Sequence, residues 1–209
     1  MFAVGVGLGS IGVQWVLKGA ISARLVPVSA AFLSLFLILL AACVWSLPEA
    51  GSSPEVTLEM FLGQWVYLRL GLCCLLVSIT GGLFVVPLNA LIQHLAEPHE
   101  RSRVIAANNI INALFICAGS LIVMLMTALG FDLHHVFVFV ALTAVAVALL
   151  TLYFLPEQSL KTLAALILKI FFCPRISGLE HIAALKDGPA LLVANHTSFI
   201  DVVLLVAYI

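Results

Sequence analysis

The chain has 209 residues, of which 64% are hydrophobic and only 9% are charged, against roughly 25% charged in an ordinary soluble domain. So few charges cannot cover the surface of a soluble fold of this size. Nine basic residues against ten acidic ones leave no positive field to neutralise phosphates, which argues against nucleic acid as a partner. The five cysteines, Cys43, Cys73, Cys74, Cys117 and Cys173, are odd in number and lack the sequence spacing of a zinc site or a disulfide framework. Most lie in apolar stretches, where free Cys behaves as a small hydrophobe. The composition is that of an integral membrane protein, with the lipid bilayer as its first partner and neither metal nor cofactor expected.

Apolar runs free of charge occupy residues 1–17, 25–48, 70–93, 104–131 and 133–156. A helix needs about 20 such residues to cross the hydrocarbon core, and none of the runs alternates with the period of two that an outer-membrane barrel requires. Five transmembrane helices are expected. The first run starts at Met1 with no polar flank, no positive segment and no small-residue cleavage site, which is unlike a signal peptide. The other end stops inside the apolar run 202–209. Both ends read as those of a fragment of a larger protein.

Connection charges set the expected orientation. Lys18 and Arg24 fall on the first connection and Arg101 and Arg103 on the third. Lys161, Lys169, Arg175 and Lys186 fall on the tail, whereas the second carries Glu49, Glu55 and Glu59. Alternation of this kind places the N-terminus outside and the tail in the cytoplasm.

Polar residues inside the apolar runs are the candidate functional positions. Gly5, Gly9 and Gly12 share one helical face and would let another helix approach closely; the face is either a packing seam or a sliding one. Asn89, Asn108, Asn109 and Asn112 flank the basic connection, with Asn108 and Asn112 one turn apart. Such amides either hold helices together or touch a polar substrate. Arg69, near the start of the third run, either meets a phosphate or snorkels to the interface beside Trp65 and Tyr67. His134 and His135 read as an interfacial pair, and Gly81-Gly82 with Pro87 is expected to weaken the third helix.

The chain changes character after Pro156. Residues 160–172 are too short to span and read as an interfacial helix. Residues 175–181 suggest a short strand, 186–189 a turn, and 190–194 a buried strand. That strand delivers Asn195-His-Thr-Ser-Phe-Ile-Asp201, followed by an apolar run suited to a helix. A neutral imidazole can take a proton from a hydroxyl, and a carboxylate on its other nitrogen fixes the tautomer. His196 and Asp201 are therefore the candidate catalytic pair, suited to transfer of an acyl group from a thioester to an alcohol. Thr197 and Ser198 are expected to cap the helix.

The run Val193-Ala-Asn-His-Thr-Ser-Phe-Ile-Asp201 resembles the first signature of the glycerolipid acyltransferase superfamily, which includes 1-acylglycerol-3-phosphate acyltransferase. Gly178-Leu-Glu-His181 and residues 187–195 are similar to its entry strands. This resemblance implies that His196 is the catalytic base and Asp201 its partner, and it covers roughly the last forty residues. The remainder resembles the lysophospholipid transporter branch of the major facilitator superfamily. Three segments carry that likeness: Gly81-Gly-Leu-Phe-Val-Val-Pro-Leu-Asn-Ala-Leu-Ile-Gln93, residues 100–112, and Gly5-Val-Gly-Leu-Gly-Ser10.

Together the resemblances imply an all-α polytopic bundle over residues 1–156, corresponding to the last five of twelve spans. The start of an α/β acyltransferase domain would follow over residues 157–209. They also imply a multi-pass protein of the bacterial inner membrane that moves lysophospholipid and re-acylates it from acyl-carrier protein or acyl-CoA. Arg69, Asn89, Asn108 and Asn112 would line the transport path. The N-terminal half-bundle and the rest of the acyltransferase domain are the missing partners, so this piece by itself is expected to be inactive. The alternative is a transporter-derived anchor for the acyltransferase, without transport.

Overall fold

The computed structural model describes residues 1–17, 22–47, 57–172, 174–175, 177 and 200–208. Regular structure among the described residues is entirely α-helical: α1 (Phe2–Leu17), α2 (Leu25–Trp45), α3 (Leu58–Gly63), α4 (Trp65–Leu95), α5 (Arg101–Ala128), α6 (Leu133–Phe154), α7 (Pro156–Phe171) and α8 (Ile200–Tyr208). The chain falls into two compact units, Met1–Pro156 and Glu157–Ile209.

Among the described residues, four helices, α2, α4, α5 and α6, are long and apolar enough to cross a membrane. Five were expected. The fifth is α1, apolar over its 16 described residues, which reach about 24 Å at 1.5 Å per residue against a hydrocarbon core of about 30 Å; residues 18–21 lie outside the described ones. The helix expected to be weakened, α4, runs unbroken for 31 residues through Gly81, Gly82 and Pro87. Proline removes one backbone donor, yet opening the helix there would release further groups with no water to receive them. Continuity is the lower-energy answer. The short α3 was not foreseen: the Thr57 hydroxyl accepts from the Met60 amide at 3.3 Å, and Glu59 sits favourably in its first turn.

The end of α5 follows from one glycine. Gly130 has φ of +86°, a conformation in which a Cβ would be strained. Its N–H donates to the Thr127 carbonyl at 3.1 Å, and the Phe131 N–H donates to the Met126 carbonyl at 3.0 Å. These two bonds close the helix as a Schellman motif, and α6 begins three residues after Gly130.

In the first unit α4 is the central element, with α1 and α2 packed on it, while α6 packs on α2. The glycine face of α1 makes the first of these contacts. A Cβ on Gly5 would collide with the Ser78 Cβ, one on Gly9 with the Ile79 carbonyl, and one on Gly12 would sit 3.3 Å from Leu83. Rising numbers on α1 meet rising numbers on α4, so the two helices run parallel. Between α2 and α4 the core is Leu40, Val44 and Cys73, with Leu37, Leu70, Val77 and Phe137 against it. At the end of α2, the Trp45 ring meets His134 and His135 of α6 edge-on at 5.5 and 5.8 Å. Because α2 ends where α4 and α6 begin, it is antiparallel to both. One end of the unit therefore carries Arg24, Arg101 and Arg103, and the other carries Glu59, Arg69 and Asp132.

In the second unit Ala164 and Leu168 of α7 are buried with Ala207 of α8, and Ala165, Ile200 and Leu204 pack around them. Small residues on both helices let the two backbones come close. Lys161 pairs with Glu157 one turn earlier at 3.1 Å. The helix expected over residues 160–172 is thus seen as α7. Of the strand expected over 175–181, the described Arg175 and Ser177 are in no regular element; the rest of it, and the strand expected over 190–194, lie outside the described residues.

Candidate functional site

Hydroxyls and amides behave differently inside the apolar helices. Ser29 donates to the Leu25 carbonyl at 2.7 Å, Ser78 to Cys74 at 2.7 Å, Thr80 to Leu76 at 2.7 Å and Ser120 to Ile116 at 2.9 Å. Each hydroxyl is satisfied by its own helix, as short side chains at i and i−4 allow. The asparagine amides are not. Among the described residues, Asn89, Asn108, Asn109 and Asn112 make no side-chain hydrogen bond. Asn89 and Asn108 are half-buried, and Asn109 and Asn112 are exposed. The expectation that these amides tie one helix of this chain to another is therefore not met within the described residues.

Asn108 and Asn112 stand one turn apart in the first half of α5, just beyond Arg101 and Arg103. Asn89 lies near the end of α4, which connects to α5 through five residues, so these three amides and the basic turn share one end of the unit. Arg69 does not join them. It is exposed in the second turn of α4, twenty residues before Asn89, a separation of about 30 Å along a helix. The four expected transport residues thus divide into an amide group at the basic end and a lone guanidinium at the opposite end. Such an arginine, one turn from Trp65, is placed to snorkel.

A cleft of about 280 Å³ lies between α2, α4 and α6, lined by Ala30, Leu33, Leu37, Phe84, Val140 and Val147 among others. Thr143, the one hydroxyl on its wall, donates to the Val140 carbonyl at 2.8 Å. The wall offers dispersion contacts and no free donor, so the cleft suits hydrocarbon and not a headgroup.

In the second unit, Asp201 is half-buried in the first turn of α8, where the helix N-terminus favours a carboxylate. His196, with Thr197 and Ser198, lies outside the described residues. Reading the sequence alone missed two features: the approach of Cys43 to Cys73, and the role of Gly82. A Cβ on Gly82 would lie 2.8 Å from the Val6 carbonyl, so the glycine serves as the counter-surface to Gly9. Small residues at helical spacing on α4 were its only available signal. No family model, curated protein or solved structure matches the chain.

Proposed function

We propose that this sequence belongs to a protein that moves lysophospholipid across a bacterial inner membrane and re-acylates it, with the transporter part over residues 1–156 and the acyltransferase part over residues 157–209. The observation carrying the transport reading is the pair Asn108 and Asn112. Among the described residues their amides have no partner, on a helix of membrane-spanning length, beside Arg101 and Arg103. Polar groups are costly at that depth unless something polar meets them, and a phosphate-bearing headgroup would accept hydrogen bonds from both amides and arginines. The cleft between α2, α4 and α6 adds a surface that fits an acyl chain.

The acyl-transfer reading rests on the sequence resemblance and on its chemistry. His196 removes the proton from the lysolipid hydroxyl, and the oxygen attacks the thioester carbonyl of acyl-carrier protein or acyl-CoA. Collapse of the tetrahedral intermediate forms the ester and expels the thiolate, which takes the proton back from the imidazolium. Asp201 orients the ring and steadies its charged form. The competing reading, an anchor without transport, draws on the failure of Arg69 to join the amides.

Vesicles reconstituted with the longest protein carrying this sequence separate the two. Lysolipid uptake that falls on Asn112→Leu supports transport, whereas absence of uptake in the unaltered protein leaves the anchor. In the same vesicles His196→Ala is expected to lower acylation about 10²–10⁴-fold without changing uptake. Acylation at the original rate removes His196 from the chemistry. Orientation is read by labelling: a cysteine at Thr57 should react from outside the cell and one at Ser102 should not, and the reverse pattern inverts the topology.

A further inference from the structure

We propose that Cys43 and Cys73 form an oxidisable dithiol, a disulfide site that staples α2 to α4. Their sulfurs are 3.9 Å apart across the helix pair, although thirty residues separate them in sequence. Cys73 is buried in the Leu40–Val44 core, and Cys43 packs against that core while remaining partly open. A disulfide requires about 2.05 Å between sulfurs, so the approach still needed is about 1.9 Å. Cys43 is two residues from Trp45, at the end of the unit remote from Arg24, Arg101 and Arg103. Cys43 is therefore the thiol placed for an aqueous oxidant to reach, and the buried Cys73 is reached through it.

The chemistry is thiol–disulfide exchange with a disulfide-bearing oxidant such as oxidised glutathione. The Cys43 thiolate attacks one sulfur of the oxidant and expels a thiolate, leaving a mixed disulfide. The Cys73 thiolate then attacks the Cys43 sulfur, expels the second thiolate and closes the bond. Two protein thiols are oxidised, one oxidant disulfide is reduced to two thiols, and the two protons pass to the departing thiolates. The bond would pin α4 to α2 at one end and leave the end bearing the asparagines and arginines unconstrained. This inference is independent of the transport reading.

The test treats membranes containing the full chain, in a Cys117→Ser, Cys173→Ser background that leaves Cys43, Cys73 and Cys74, with oxidised glutathione. The protein is then denatured, its free thiols are alkylated, and its peptides are identified by mass. The expected result is loss of reactive thiol at Cys43 and Cys73 together, with a linked peptide containing both, reversed by dithiothreitol. Cys43→Ser and Cys73→Ala should each abolish the link, and Cys74→Ser should preserve it. Two outcomes overturn the proposal: full alkylation of Cys43 and Cys73 after treatment that oxidises a reference dithiol in the same vesicles, or a link from Cys43 to Cys74.

Discussion

Helices α4 and α5 are close in length, 31 and 28 residues, and both are apolar enough to cross a membrane. Their surroundings are opposite. α4 buries Gly71, Cys73, Ser78, Thr80, Gly82 and Pro87, with a helix packed on each of two sides. α5 buries none of its residues. Between two helices in lipid the apolar effect does not choose neighbours, because lipid tails are as apolar as leucine; close packing and polar contacts choose them. α4 supplies small residues that meet a matching glycine face on α1. α5 also has small residues, Ala113, Gly119 and Ser120, but a Cβ on Gly119 would meet nothing within 4 Å. Hydropathy therefore identifies both helices as membrane material, and shape complementarity determines which one is central.

The largest expected effect comes from breaking that complementarity. Gly9→Leu would drive its side chain into the Ile79 carbonyl and the backbone at Gly82. Backbone cannot swing aside as a side chain can, so the cost should reach or exceed the usual 1–3 kcal/mol of overpacking, an approximate range. Gly119→Leu should cost less than about 0.5 kcal/mol, as surface changes usually do. Thermal loss of the monodisperse detergent-solubilised chain compares the two. Equal midpoints would mean that the α1–α4 seam is not what holds α4 at the centre.

This contrast also marks how much was legible in the sequence. Charge-free runs located α2, α4, α5 and α6 because the bilayer imposes a length on any helix that crosses it. The Gly5–Gly9–Gly12 face was readable as a contact surface, since glycines three and four residues apart coincide on a helix. Its partner Gly82 was not, because inter-helix register is a three-dimensional fact that one strand of sequence does not carry. Gly81-Gly82 and Pro87 are expected to weaken α4, and the helix stays continuous through them, as the absence of water around a broken helix requires. The Cys43–Cys73 approach was hidden for the same reason as Gly82. At the candidate site, spacing correctly placed Asn108 and Asn112 on one face. Nothing in the spacing indicated that Arg69 stands at the other end of the unit.

A smaller effect is expected where α5 carries its amides. Asn112→Leu removes a donor and acceptor that no described residue uses, so folding should be nearly unchanged. If the amide meets a charged headgroup, loss of that hydrogen bond is worth roughly 1.5–3 kcal/mol, and lysolipid uptake should fall at least about tenfold. Ser78→Ala on α4 provides the matched control, because its hydroxyl is occupied by the Cys74 carbonyl. Uptake that survives Asn112→Leu at equal protein level would make the exposed face of α5 a lipid-facing surface only.

The smallest effect separates the two kinds of polar group on α5 itself. Ser120 is exposed, and its hydroxyl donates back to the Ile116 carbonyl at 2.9 Å. That carbonyl also belongs to the helix ladder, so removing the hydroxyl leaves no backbone group unsatisfied. Such back-bonding is slightly unfavourable to a helix in any case. Ser120→Ala should therefore shift stability by less than about 0.5 kcal/mol and leave uptake unchanged. A clear loss of uptake with normal expression would show that the working surface of α5 extends two turns beyond Asn112, along the side that carries Ala113 and Ser120.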